Sequence, residues 1–410
     1  MAKASAGRLL AERYQLTDRR RGDTAEARDL RSGAPVLLDA VPLPELVTPF
    51  DQLADAPPAS NRPGAGAGTG TGAGAGGDDA AGLALSHAAF AAQAVADHPR
   101  LSQVFQVFAE DGYLWVAGEW VAGVPLAQLL EAGPLTPYRA AELAYDLSSG
   151  LGAVHRAGLV HGNLTPATVT VCEDGTALVG GLVVSAAQEA LCGGPGTAES
   201  GAGVPTALWS PARVRARDAR AVIVGAVPER WAPEQLGIVG GVGVPVGPGA
   251  DAWALGVLLY RAVTGTPPFP ERDLDRLFDA VRTGARPDTA QTGLLRPLID
   301  RLLDQDPARR PTLPQVRAAL RQLLQRAPEP LDEPTPFTVL SAPLLPGSVR
   351  SAVAPFTGAR LPAQREPSEA GERHHHAAPR RGSVLLGPLL VGAIFVAVIG
   401  ALALIALFGH

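Results

Sequence analysis

Lysine is all but missing from this chain. Lys3 is the only one in 410 residues, and arginine supplies every other basic side chain. Beyond the third position, no ammonium group is available to hold a substrate or a cofactor. Cysteine is also scarce. Cys172 and Cys192 are too few for a disulfide framework, and both read as free thiols of a reducing cytosol. The net charge of -5 excludes the broad positive field that would draw nucleic acid. Residues 1–13 lack the long apolar run of a secretory signal. What remains is hydrophobic enough, at 46%, to bury the core of one large domain or two ordinary ones.

Five regions separate by composition. Residues 12–47 alternate apolar and polar in short runs around a Ser32-Gly33 turn and read as strands. Residues 57–79 hold a Gly/Ala/Thr/Pro tract that cannot bury enough apolar surface to fold, so a disordered insert is expected there. From Leu83 to Arg326 the pattern is mostly helical, with apolar residues every three or four positions along 140–157 and 252–263. Residues 327–382 are rich in Pro, Ala and Arg and read as a flexible linker. Residues 383–408 are the longest uncharged apolar run. A helix of this length, at about 1.5 Å per residue, exceeds the roughly 30 Å hydrocarbon core. Arg380 and Arg381 precede it, with Arg373 further upstream, which places the preceding chain on the cytoplasmic side of a cell membrane. Ala393, Ala397 and Ala401 recur every four residues beside Gly392 and Gly400, a strip of small side chains through which two such helices could form a homodimer.

Within the helical region several stretches resemble the C-terminal lobe of bacterial Ser/Thr protein kinases. Ala232-Pro233-Glu234 is similar to the family's A-P-E. Asp251-Ala252-Trp253-Ala254-Leu255-Gly256 is similar to its D-x-W-x-L-G, and Asp306-Pro307 through Arg310-Pro311-Thr312 to its D-P-x-x-R-P-T. His161-Gly162-Asn163-Leu164-Thr165-Pro166 stands where H-R-D-L-K-P belongs. The N-terminal part matches more weakly. Glu119-Trp120-Val121 resembles the hinge between lobes, and His98-Pro99 the pair after the single helix of the small lobe. The resemblance covers residues 12–326 and implies an α+β, bilobal protein-kinase-like fold. A β-rich N-lobe over 12–119 and a helical C-lobe over 121–326 are expected, with one C-terminal transmembrane helix beyond them. It also implies structural roles for Glu234 paired with Arg310, and for Asp251 bonded to the catalytic-loop backbone.

The chemistry that the family needs is positioning and charge neutralisation, and here the resemblance lapses. Between Tyr14 and Ala27 there is one glycine, Gly22, where a phosphate-covering loop has three; Arg19, Arg20 and Arg21 there read as a solvated face. The strand lysine falls at Asp39 and its helix glutamate at Ala89. The catalytic aspartate falls at Asn163, which cannot accept a proton as a carboxylate does. The two metal-binding positions fall at Thr168 and at Gly181 of Gly181-Leu182-Val183. A catalytically inactive member, a pseudokinase, is therefore expected, with no metal site and no cofactor. It would act as a membrane-anchored scaffold or regulatory module for an unidentified protein partner. The alternatives are a divergent active Ser/Thr kinase using ATP, or a weak sensor that binds ATP without Mg²⁺ at Glu119, Trp120 and Val121. The remaining candidates read blandly. The histidine run 374–376 is a surface run, Cys172 is a small hydrophobe, and the arginines 213, 215, 217 and 220 belong to a solvated loop.

Overall fold

Period-two alternation builds the N-terminal part. In a computed structural model that describes residues 6–44, 76–193, 211–237 and 246–326, β1 (Leu9–Leu10), β2 (Tyr14–Arg21), β3 (Thr24–Asp29) and β4 (Pro35–Pro42) pair in sequence, each antiparallel to the last. Ala25, Ala27, Val36 and Leu38 pack on one face with Tyr14, Leu16 and Trp115. The opposite parity of β3 and β4 leaves Thr24, Leu37 and Asp39 on the other face. After helix α1 (Gly76–Ala94), β5 (Val104–Glu110) and β6 (Tyr113–Glu119) complete a six-stranded sheet of order β1-β2-β3-β4-β6-β5. Two expected boundaries shift. The sheet starts at Leu9, ahead of Glu12, and α1 starts at Gly76, inside the stretch 57–79 assigned to the insert. The rest of that stretch lies outside the described residues.

Helices follow. A short strand β7 (Gly123–Pro125) leads into α2 (Leu126–Ala132) and α3 (Pro137–Arg156). The Thr136 side chain caps α3 by accepting from the Arg139 amide, and Pro137 starts its first turn. Ala140, Leu143, Ala144, Leu147 and Leu151 are buried along one stripe of α3, as a 3.6-residue period requires. β8 (Val169–Cys172) and β9 (Ala177–Val179) form a small sheet with β7. Next come α4 (Leu182–Leu191), α5 (Pro211–Val224), α6 (Pro248–Thr264), α7 (Leu274–Arg282), α8 (Arg296–Leu302) and α9 (Leu313–Arg326).

The main core forms around α6, which is buried on nearly every side and contributes Trp253, Leu255, Leu258 and Leu259. Gly256 is required where α6 meets α8. A Cβ there would lie 2.8 Å from the Leu302 Cβ, well inside van der Waals contact. A separate cluster sits under the six-stranded sheet. There, Val41, Leu114 and Val116 meet Ala84, Ala88 and Ala91 of α1 and Val183, Ala187 and Ala190 of α4. Small side chains on both helices let α4 lie close against α1 beneath β4 and β6. The linker 327–382, its histidines and the apolar run 383–408 all lie outside the described residues. Among the described residues no helix is long and apolar enough to cross a membrane.

Candidate functional site

The backbone of residues 161–163 is fixed before any chemistry is considered. Asp251, in the first turn of α6 and fully buried, accepts from the amides of His161 and Gly162, each at 2.8 Å, and contacts His155 Nε2 at 2.8 Å. Burial alone would raise the Asp251 pKa, but the bonds and charge of His155 and its neighbours outweigh it, and the value lies below the ordinary one. Burial depresses His161 to about 4. On the far side of α6, Arg310 holds Glu234 through two parallel bonds, Nη1 to Oε1 at 2.7 Å and Nη2 to Oε2 at 2.8 Å. Its guanidinium also donates to the carbonyls of Gly249 and Asp304 and lies over the Trp253 ring at 5.2 Å. Glu234, Asp251 and Arg310 are all buried, and none of them lines the cavity described next.

A cavity of about 230 Å³ opens between the sheet, the loop at 163–168 and the stretch 179–184 where β9 passes into α4. Asp39, Glu119, Asn163, Thr168 and Gly181 line it together, and Ala89 does not; α1 contributes Ala91 and Ala92 instead. Asp39 takes the Thr24 hydroxyl at 2.5 Å. Burial pushes its carboxyl pKa up, and among the described residues no cation offsets that burial. Asn163 bonds weakly to the Gly181 carbonyl at 3.4 Å, and the Thr168 hydroxyl is turned onto the Asn163 carbonyl at 2.6 Å. Gly181 has φ +86°, and a Cβ there would fall 2.9 Å from both Asn163 Nδ2 and Thr168 Cγ2. An aspartate could not replace Gly181 without backbone strain.

The third wall is the candidate hinge. Glu119 Oε2 accepts from the Gln103 amide at 3.2 Å, and Val121 is buried. The Val121 carbonyl is already engaged. Arg21, at the end of β2, donates to it at 2.7 Å, and its guanidinium stacks on the Trp120 ring at 5.2 Å. Burial lowers the Arg21 pKa. Arg21 is therefore a cleft residue and not the solvated side chain expected for the run 19–21. Arg21 pairs with Thr24 and shares its face, opposite to that of Tyr14 and Leu16, so alternation along β2 turns it toward the cleft; the two-residue register shift between Leu16 and Arg20 leaves that parity unchanged.

A magnesium nucleotide does not fit these residues. The cavity is smaller than the roughly 300–1,000 Å³ of ordinary small-molecule pockets, the charge at Asp39 has the wrong sign, and neither Thr168 nor Gly181 offers a carboxylate. The segment that follows also differs from expectation. The arginines 213, 215, 217 and 220 are expected in a solvated loop, but α5 carries them, and Arg220 is buried rather than solvated. Arg220 pairs with Glu189 and donates to the Arg230 carbonyl at 2.9 Å, while Arg230 donates to the Gly162 carbonyl at 3.0 Å and to Gln188 at 2.7 Å. Burial lowers these two arginines to about 9 and about 10. Glu189, a partner that lies far from Arg220 in sequence, ties α4 in place against α5.

No family model matches the chain. Over 224 residues it is 30% identical to the serine/threonine-protein kinase pkn2 of Myxococcus xanthus, covering 52% of this chain and 24% of that protein. It is 28% identical over 266 residues to the serine/threonine-protein kinase pkn3 of the same organism, covering 62% and 44%. It is 28% identical over 226 residues to the serine/threonine-protein kinase PkaA of Streptomyces coelicolor, covering 55% and 37%. The matches therefore span less than half of each of these relatives. In sequence the chain is similar to Ser/Thr protein kinases, bacterial ones among them, and its mixed α+β fold, a curled sheet beside a helical part, is kinase-like.

Proposed function

We propose that this chain is a kinase-like scaffold or regulatory module that does not transfer phosphate, held at the cytoplasmic face of a membrane by residues 383–408 and recognised by a protein partner. The observation that carries the reading is the carboxylate of Asp39 on the cleft face of β4, with no lysine after Lys3 to counter it. At about 4 Å a carboxylate and a phosphate repel by roughly 4 kcal/mol at an effective dielectric near 20. Asn163 cannot serve as a base, and Gly181 cannot be exchanged for a metal ligand without strain. Anchoring rests on the length of the uncharged run and on Arg380 and Arg381 before it.

The names of the relatives favour a second reading, a divergent but working Ser/Thr kinase that uses ATP, since all three are called kinases. A weak nucleotide sensor is the third. One experiment separates them: melting of the full-length chain with ATP, with and without Mg²⁺, beside an incorporation assay with labelled ATP. A ligand at a hundred times its Kd stabilises by about 2.7 kcal/mol, which a melting curve resolves. The proposed module shows no shift and no incorporation. A Mg²⁺-dependent shift with incorporation that Asn163→Ala abolishes would establish the kinase. A Mg²⁺-independent shift alone would establish the sensor.

A further inference from the structure

On the helical part, far in sequence from the cleft residues, two helix stripes face each other across an open groove of about 770 Å³. Leu294, Leu298 and Arg301 form one wall at helical spacing, and Ala319, Leu323 and Arg326 of α9 form the other. Pro137 and Tyr138 close one end. The floor is apolar, and Leu294 is 62% exposed, unusual for a leucine of a helical domain. The rim is basic: Arg301 and Arg326 are exposed, and neither makes an ion pair with another described residue. Arg139, stacked at 6.0 Å over Tyr138, adds positive charge at the closed end, shared with Glu142.

Arg326 both lines this groove and ends the described helix, so the following chain starts at the groove. That chain reads Glu329-Pro330-Leu331-Asp332-Glu333, then Phe337, Val339 and Leu340. It is acidic where the rim is basic, and it carries large apolar side chains where the floor is bare. Four of its residues are proline, at 328, 330, 334 and 336, and so lack N–H groups that an apolar groove would leave unpaired. Five residues extended span at most about 18 Å, while the α9 wall from Ala319 to Arg326 is only about 10 Å long at 1.5 Å per residue. The stretch can therefore turn back and reach the whole groove.

We propose that this groove is the docking surface for the chain's own residues 329–340, with Leu331 and Phe337 on its floor and Asp332 and Glu333 against Arg301 and Arg326. Docking fixes where the linker leaves the helical part, whether or not the cleft binds nucleotide. Amide hydrogen exchange on the full-length chain tests it. Residues 331–340 should exchange at least about tenfold more slowly than residues 351–372. The protection should vanish in Leu294→Asp, an exposed position whose change leaves the melting midpoint in place. It should also vanish in the Arg301→Glu, Arg326→Glu double variant and return when Asp332→Arg and Glu333→Arg are added. Equal exchange in the two stretches would overturn the proposal, and so would protection that ignores the groove variants. Protection that rises with protein concentration would overturn it too, because the occupant would then be a second copy.

Discussion

Around Glu234 and Arg310 every buried charge has a partner: two parallel bonds, two carbonyls and a tryptophan face share one guanidinium. Around Asp39 the opposite holds, with a carboxylate pushed toward its neutral form, one threonine hydroxyl to bond it and an arginine turned away onto the hinge carbonyl. Both regions sit at positions where the resemblance to protein kinases assigns charged residues, yet only the first keeps them. The difference separates two demands on a buried polar group. At Glu234, Arg310 and Asp251 loss of one partner would strongly destabilise the helical part. At Asp39 and Asn163 the side chains face the cleft and replacement there costs the fold little, while Gly181 is held by its left-handed backbone.

The most severe way to test that contrast is Arg310→Ala. It strands Glu234, which is fully buried beneath the guanidinium, and should cost about 3–5 kcal/mol in denaturant unfolding. A loss under about 1 kcal/mol would mean that the pair is not a structural centre. A milder test uses pH. His161 is held neutral, with a pKa of about 4 against 6.5 when unfolded, packed near Asp251, His155 and Arg230. Between those values the unfolded chain binds a proton that the folded chain refuses, so stability must fall as pH drops from 6.5 toward 4, by at most about 3 kcal/mol. Asp29 and Asp251 have carboxyls held below their ordinary value, so their stabilisation is lost only as pH falls further. His161→Phe should flatten the upper part of the pH profile and leave the acid limb. An unchanged upper slope would remove His161 from the account.

What the sequence made legible divides along the same line. Ala232-Pro233-Glu234, Asp251 through Gly256 and the segment around Arg310 are short words of fixed local spacing, so partners 76 residues apart could be named before their contact was seen. Asp39, Asn163, Thr168 and Gly181 were found by counting along strands and loops, and they line one cavity. Ala89 was misplaced relative to that cavity, because a count back from His98 carries no information on helix rotation. Arg21 escaped because a run of three arginines reads as solvated by composition, although alternation from Tyr14 and Leu16 puts its last member on the opposite, cleft face. The helices α4 and α5 escaped because glycine runs at 193–196 and 201–203 dominate the reading of that span. The partner that buries Arg220, Glu189, is distant in sequence and marked by no motif.

The smallest expected effect is the most specific to the cleft. Asp39→Asn keeps an oxygen for the Thr24 hydroxyl and removes only the charge. The folded-state pKa of Asp39 is raised above the unfolded 3.8, so its carboxyl favours folding only while protonated, and that benefit disappears as pH rises through the folded value. At pH 7 the asparagine variant should therefore be slightly more stable than the parent, by less than about 1 kcal/mol, and at pH 4 the two should converge. The same exchange at Asp251 must have the opposite sign. There the carboxylate accepts two backbone amides and contacts His155, and its pKa is lowered. Paired unfolding curves for Asp39→Asn and Asp251→Asn at the two pH values read both signs at once. A destabilised Asp39→Asn would mean that this carboxylate has a cationic partner, and the cleft would then have to be treated as a working charge site.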